Sequence, residues 1–167
     1  STTAALALGD ALAVALLDAK GFREEDFARS HPGGSLGRRL LTHVRDIMHS
    51  DNGVPAVNQN ATLAEAVLEI SRKGLGMTAV VDDARQVLGI YTDGDLRRTL
   101  EKRVDFTTTT IGSVMSRNPR SIMPDALAVE AVQTMEQHNI SQMLVIDSSN
   151  KLVGALTMHD LLRAKVI

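Results

Sequence analysis

The chain contains no cysteine and no tryptophan, and aromatic residues supply only 2% of its 167 positions. Without cysteine there are no disulfides and no thiol catalysis, which fits a reducing cytoplasm. With so few aromatic rings there is no stacking platform for single-stranded nucleic acid. Charge of one sign is also missing: 18 Lys and Arg against 20 Asp and Glu leave a net −2. That balance offers no footprint for nucleic acid or for an anionic membrane. Nor is there a long hydrophobic run. The most apolar stretch, Ala4 to Leu17, lacks a basic leader, contains Gly9 and Asp10, and is too short to span a bilayer. It reads as an amphipathic or core helix. His31, His43, His49, His138 and His159 show no tight ligand spacing, so no metal site is expected. What remains is 44% hydrophobic and 23% charged, enough to bury a core in one ordinary or two small domains.

The chain repeats itself. Glu65 to Arg98 lies over Glu130 to Arg163 without a gap, at an offset of 65. Glu65-Ala66-Val67 returns as Glu130-Ala131-Val132, and Gly89-Ile90-Tyr91-Thr92-Asp93-Gly94-Asp95-Leu96 returns as Gly154-Ala155-Leu156-Thr157-Met158-His159-Asp160-Leu161. Such a duplication predicts two copies packed about a pseudo-twofold axis, with paired clefts between them. Each copy reads as helix, strand, strand, helix. Leu63, Ala66, Val67 and Ile70 form one helical stripe, and Ala128, Ala131, Val132 and Met135 the other. Thr78 to Asp82 and Met143 to Asp147 read as strands, hairpin-linked to Val87 to Thr92 and Leu152 to Thr157. Short extended pieces are expected near Pro55 to Val57 and Arg120 to Ile122, with Val104 to Thr110 as the linker. Ahead of the repeat, a helix over Ala5 to Ala19 ending at Gly21, a short helix over Glu24 to Ala28 and a break at His31-Pro32-Gly33-Gly34-Ser35 are expected. Leu36 to Leu41 adds a turn or two of helix. A start at Ser1, without an initiator Met, suggests a fragment of something longer.

In each copy the last strand ends in Gly-x-x-Thr-x-x-Asp and runs straight into a helix. One account is structural: Thr92 and Thr157 as N-caps with Asp95 and Asp160 three residues on form capping boxes. Asp95–Arg98 and Asp160–Arg163 are then ordinary surface pairs worth about 0.2–0.5 kcal/mol. The other account is functional. A helix N-terminus with a Thr hydroxyl beside it suits phosphate, whereas a carboxylate there suits the two hydroxyls of a ribose. Gly89, Gly94 and Gly154 would let a ligand approach closely, and Arg97, Arg98 and Arg163 would hold an anion. The repeats differ at Asp93-Gly94 against Met158-His159, so unequal sites are expected.

These two units, each introduced by an apolar residue plus Met (Ile47-Met48, Val114-Met115), resemble a tandem pair of CBS domains, a Bateman module, over about Leu41 to Ile167. The resemblance implies an α/β (α+β) fold of two βαββα units about a pseudo-twofold. It also implies nucleotide ligands in the clefts, touched by Thr92, Asp93, Gly94, Asp95, Arg97 and Arg98 in one copy. In the other the contacts are Thr157, His159, Asp160 and Arg163, with Met48 and Met115 at equivalent places nearby. The opening Ser-Thr-Thr-Ala-Ala-Leu-Ala-Leu-Gly-Asp-Ala-Leu-Ala and Ser30-His31-Pro32-Gly33-Gly34-Ser35-Leu36-Gly37-Arg38 resemble the end of a sugar isomerase (SIS) domain in D-arabinose 5-phosphate isomerases. Thr92 to Arg98 and Met158 to Arg163 resemble that family too.

The resemblance implies a division into a helical SIS remnant at 1–41 and CBS units at 42–104 and 105–167. It implies a longer parent enzyme that interconverts ribulose 5-phosphate and arabinose 5-phosphate, with His31 in its active site. The fragment alone is expected to be inactive, because the rest of the sugar site is absent. No cofactor is expected. The expected regulatory ligand is CMP-Kdo, the activated end product of the pathway that the isomerase opens, with adenosine nucleotides next. Expected partners are a second copy of the chain, as a dimer through the CBS pairs within a tetrameric parent, and the nucleotide. The alternative is a module that pairs subunits and binds nothing; a self-sufficient enzyme is the third reading.

Overall fold

The computed structural model describes residues 2–21, 26 and 41–167. Helix α1, Thr2–Ala19, stops at Gly21, whose φ of +65° is the left-handed cap the sequence predicted. The expected short helix at Glu24 to Ala28 (apart from Asp26), the His31 loop and the turn before Leu41 lie outside the described residues. Contrary to the reading of α1 as an amphipathic or core helix, its Leu6, Leu8, Leu12, Val14 and Leu16 are all more than half exposed. Alanine, leucine and valine fall on every side of this helix, so it has no single face to bury.

The repeat is built as expected. The first unit runs β1 (Ala56–Asn58), α2 (Leu63–Lys73), β2 (Met77–Val81), β3 (Val87–Thr92) and α3 (Asp93–Glu101). A short helix α4 (Ile111–Val114) and strand β4 (Ser116–Arg117) follow. The second unit runs β5 (Ser121–Ile122), α5 (Ala128–His138), β6 (Gln142–Ile146), β7 (Leu152–Thr157) and α6 (Met158–Arg163). One sheet has the order β1-β2-β3-β4 and the other β5-β6-β7. In both the first pairing is parallel and the next antiparallel, with Met77 opposite Thr92 and Gln142 opposite Thr157. Both hairpins carry an irregularity at the same repeat position, Val80/Val81 and Val145/Ile146.

The first strand of each hairpin starts and stops one residue before the predicted Thr78–Asp82 and Met143–Asp147, while the second strands run as predicted over Val87–Thr92 and Leu152–Thr157. The reason is local: Asp82 Oδ1 accepts from the backbone N–H of Ala84 (2.9 Å) and Gln86 (2.8 Å), which makes it the first turn residue. Asp147 does the same for Ser149 and Lys151. Helix α2 opens on a full capping box, Thr62 with Glu65, and closes on Gly74 at φ +70°. Its repeat, α5, has Leu127 at the N-cap and closes on left-handed Asn139.

The two units share a centre. Met77, Ala79 and Val87 of one sheet, with Val54 just ahead of β1, pack with Leu144, Leu152 and Ala155 of the other. Val87 N–H donates to Asn150 O and Leu152 N–H donates to Arg85 O, both at 3.1 Å. Val87 and Leu152 are repeat equivalents, as are Arg85 and Asn150, so exchanging the repeats turns one bond into the other and the pseudo-twofold passes between the hairpins, at the Gln86–Lys151 bridge.

The units also exchange their leading segments. Ile111 precedes the second unit, yet it is fully buried in the first unit's core with Leu63, Ala66, Val80 and Tyr91. Val44 precedes the first unit, yet it packs with Ala131, Met135, Met143 and Leu161 of the second. The methionines follow suit. A Cβ on Gly89 would stand 2.6 Å from Met115 Sδ and 2.8 Å from Ser116 O, and one on Gly154 would stand 2.6 Å from Met48 Sδ. Gly89 and Gly154 therefore admit the crossing methionine, not a ligand as their place in the motif suggested. Gly89→Ala is expected to cost about 1–3 kcal/mol, because a backbone oxygen as well as the sulfur must retreat. Thermal denaturation checks this; an unchanged melting temperature would mean that β4 shifts freely.

Candidate nucleotide-binding clefts

Two clefts open between the units, each combining the Gly-x-x-Thr-x-x-Asp turn of one unit with the helix-to-strand loop of the other. The first, about 580 Å³, is lined by Thr92, Asp93, Gly94, Asp95, Arg97 and Arg98. It is closed by Ser116 to Arg120 and by Asn139 to Gln142. The second, about 480 Å³, is lined by Thr157, Met158, His159, Asp160 and Arg163, with His49 and with Gly74 to Gly76. Asp93, Ser141 and Gln142 border both.

The structural account of the motif holds in full. Thr92 Oγ1 accepts from Asp95 N–H at 3.3 Å, and Asp95 Oδ2 accepts from Thr92 N–H at 2.9 Å and from its hydroxyl at 2.8 Å. Thr157 and Asp160 repeat this at 3.3, 3.0 and 2.6 Å. The predicted ion pairs are present too, Arg98 to Asp95 at 2.6 Å and Arg163 to Asp160 at 3.1 Å. The turn into α3 is braced from below, with Tyr91 Oη donating to Thr99 Oγ1 (2.9 Å), which donates to Asp95 O (2.8 Å).

Each carboxylate has one further partner that the sequence reading missed, and it comes from a crossing segment. Ser116 Oγ donates to Asp95 Oδ1 at 2.9 Å, and His49 Nε2 lies 3.1 Å from Asp160 Oδ1. These are structural equivalents: Ser116 pairs with Ile90 and His49 with Ala155, and Ile90 and Ala155 are 65 residues apart. The signal was the residue after each Ile/Val-Met pair. Met48 and Met115 themselves sit against glycine instead of on the walls of the two clefts. Arg117, Arg120 and the loop Asn139 to Gln142 were also missed, since no repeat motif marks them.

Asp95 and Asp160 are almost wholly buried at 7% and 4% exposure. Burial pushes both pKa values up, but hydrogen bonds outweigh it and leave both below the usual carboxylate value. For Asp95 the bonds come from Thr92, Arg98 and Ser116, and for Asp160 from Thr157 and His49. A lowered folded-state pKa stabilises above the unfolded value, about pH 4, and that stabilisation fades as pH falls through the folded values. Urea unfolding between about pH 6 and 3 is expected to show falling stability, with a shallower fall in Asp95→Asn and Asp160→Asn.

Chemically, the clefts offer carboxylate acceptors and guanidinium donors, which suits recognition of a sugar diol and an anion. Among the described residues no group of His, Cys, Asp and Glu is arranged to hold a metal ion, and no helix is long and apolar enough to cross a membrane.

This fold and these paired turns are those of tandem CBS domains, whose family model matches residues 44–102 and 111–167. The chain belongs to the CBS-domain family. Over all 167 residues it is 52% identical to the arabinose 5-phosphate isomerases KdsD of Pseudomonas aeruginosa and of Escherichia coli K12. It covers 51% of each, so it spans about half the length of these relatives. Among solved structures, the CBS pair of protein MJ0100 in complex with 5′-methylthioadenosine and S-adenosyl-L-methionine is 25% identical, with a TM-score of 0.66 over 73% of this chain and 98% of that one. CBSX2 in complex with AMP shares the fold at 21% identity, with a TM-score of 0.63 over 74% of this chain and 95% of that one.

Proposed function

We propose that this chain is the regulatory nucleotide-sensing CBS pair of an arabinose 5-phosphate isomerase, with CMP-Kdo as its ligand and an adenosine nucleotide as the next choice. The observation that carries the reading is a buried, hydrogen-bonded aspartate in each of the two clefts between the units, beside the unpaired Arg97 and Arg120 in the first. In this reading Asp95 and Asp160 accept from ribose hydroxyls, and Thr92, Gly94, Arg97 and Arg98, or Thr157, His159 and Arg163, face phosphate. Asp93, on the rim of both clefts, tunes the two against each other. The similarity to KdsD supports the isomerase context, and the adenosine ligands of MJ0100 and CBSX2 support a nucleoside. CMP-Kdo is chosen on chemical grounds, because feedback by a nucleotide-sugar product on a committing step uses a ribose, a phosphate and a carboxylate.

In the longer cytoplasmic protein His31 belongs to the isomerase site, and the chain divides into an SIS remnant at 1–41 and CBS units at 42–104 and 105–167. Self-association through the CBS helices accompanies this role, with a tetrameric parent. A second reading, a scaffold that pairs subunits and binds nothing, is favoured by the exposed Leu68, Leu100 and Leu162 on α2, α3 and α6. Calorimetric titration with CMP-Kdo, CMP, AMP and ATP separates the two. Tight binding of CMP-Kdo alone identifies a product sensor, and preference for AMP or ATP an energy sensor. No heat and no change in melting temperature leaves the scaffold.

A further inference from the structure

The two clefts are equivalent in backbone but not in charge. In the first, Arg98 is spent on Asp95, yet three more guanidinium groups line the walls: Arg97 on α3, and Arg117 and Arg120 on the segment that carries β4 into the second unit. Arg97 and Arg120 have no hydrogen-bond or ion-pair partner among the described residues, and Arg117 donates only to Gly112 O at 3.2 Å. Against these three stands a single uncommitted carboxylate, Asp93. In the second cleft Arg163 is likewise spent on Asp160. Among the described residues no further Lys or Arg lines it, and what remains is Asp93 with His49 and His159. With both histidines neutral, that lining carries an excess of negative charge. The cations of the first cleft, moreover, come from two chain segments, so it offers two places for negative charge.

Resting on the nucleotide reading above, we infer that the first cleft is the anion-bearing site and takes a nucleotide with a second anionic group beyond the phosphate next to the ribose. Arg97 and Arg98 face that first phosphate, and Arg117 and Arg120 select for the second group. The second cleft takes no dianion at neutral pH. The segment bearing Arg117 and Arg120 also carries Ser116, the hydroxyl on Asp95, so the selected anion and the ribose acceptor are linked through one short stretch of chain.

The test is calorimetric titration of the intact chain with CMP and CDP, and with AMP and ADP. Three variants accompany it: R120A, the double variant R117A/R120A, and R72A as a control outside both clefts. All three sites are exposed, and melting temperatures confirm folding. The expected result is that the diphosphate of at least one pair binds more tightly than its monophosphate. The double variant should lose about tenfold or more for that diphosphate, against about twofold for the monophosphate, because a charge-assisted hydrogen bond of this kind is worth about a decade. R72A should bind the diphosphate as the wild type does. If monophosphate and diphosphate bind equally, or the double variant weakens both alike, or R72A loses as much, this inference is overturned while the nucleotide reading stands. If none of the four binds the wild-type chain, this inference is overturned, and the nucleotide reading falls with it when CMP-Kdo does not bind either.

Discussion

Asp95→Ala is expected to weaken nucleotide binding in the first cleft by more than about 100-fold, since two hydrogen bonds to a charged acceptor are worth about 1.5–3 kcal/mol each. In the ligand-free arrangement Asp95 is fully used: Oδ2 by Thr92, and Oδ1 by Arg98 and Ser116. A ribose diol therefore exchanges with Arg98 and Ser116 on Oδ1. Both of those residues are exposed and find water when released, so the exchange is inexpensive. The same substitution removes half of a capping box, costing about 0.5–2 kcal/mol of stability. Titration and denaturation of one variant thus separate the two accounts of the motif. If Asp95 only caps α3, stability falls and affinity does not. If it also reads a ribose, affinity collapses by far more than the lost stability accounts for. Asp95→Asn, which keeps the shape and a hydrogen-bonding side chain, should bind more weakly than the wild type and unfold later than the alanine variant.

Ile111→Ala is expected to lower stability by about 2–5 kcal/mol, and the damage should fall in the first unit, although Ile111 precedes the second. It is fully buried against Leu63, Ala66 and Val80, and Met115, four residues on, fills the space over Gly89. Hydrogen exchange should accelerate first in β2, β3 and α2. Val44, in the second unit's core, is the mirror case: Val44→Ala should open β6, β7 and α5 first. Loss of protection confined to the second unit in Ile111→Ala would show that the exchanged segments are not what joins the two halves.

Much of this architecture was legible because the chain states it twice. A single Thr-x-x-Asp is an unremarkable capping box, but its return after 65 residues, with the same Gly three positions before, marks a pair of equivalent turns. The hairpins, both long helices and the unequal character of Asp93-Gly94 and Met158-His159 followed from local pattern. What stayed hidden was the crossing of the leading segments. Met48 and Met115 are offset by 67, not 65, so aligning the repeats does not pair the residues that follow them, and local periodicity says nothing about which sheet edge a short segment joins. Ser116, His49, Arg117 and Arg120 were missed for that reason, and Gly89 and Gly154 were given a ligand's role that the methionine sulfurs fill. The joining of Arg117 and Arg120 to Arg97 on the walls of the first cleft was equally out of reach, because no motif links the two segments that carry them.

The most direct test is a titration of the intact chain with CMP-Kdo, and in parallel with AMP, followed through backbone amide NMR shifts. The account predicts saturable shifts at Thr92 to Arg98, at Ser116 to Arg120 and at Asn139 to Gln142, around the first cleft. Shifts that cluster elsewhere, or a spectrum unmoved by either nucleotide at millimolar concentration, would contradict it.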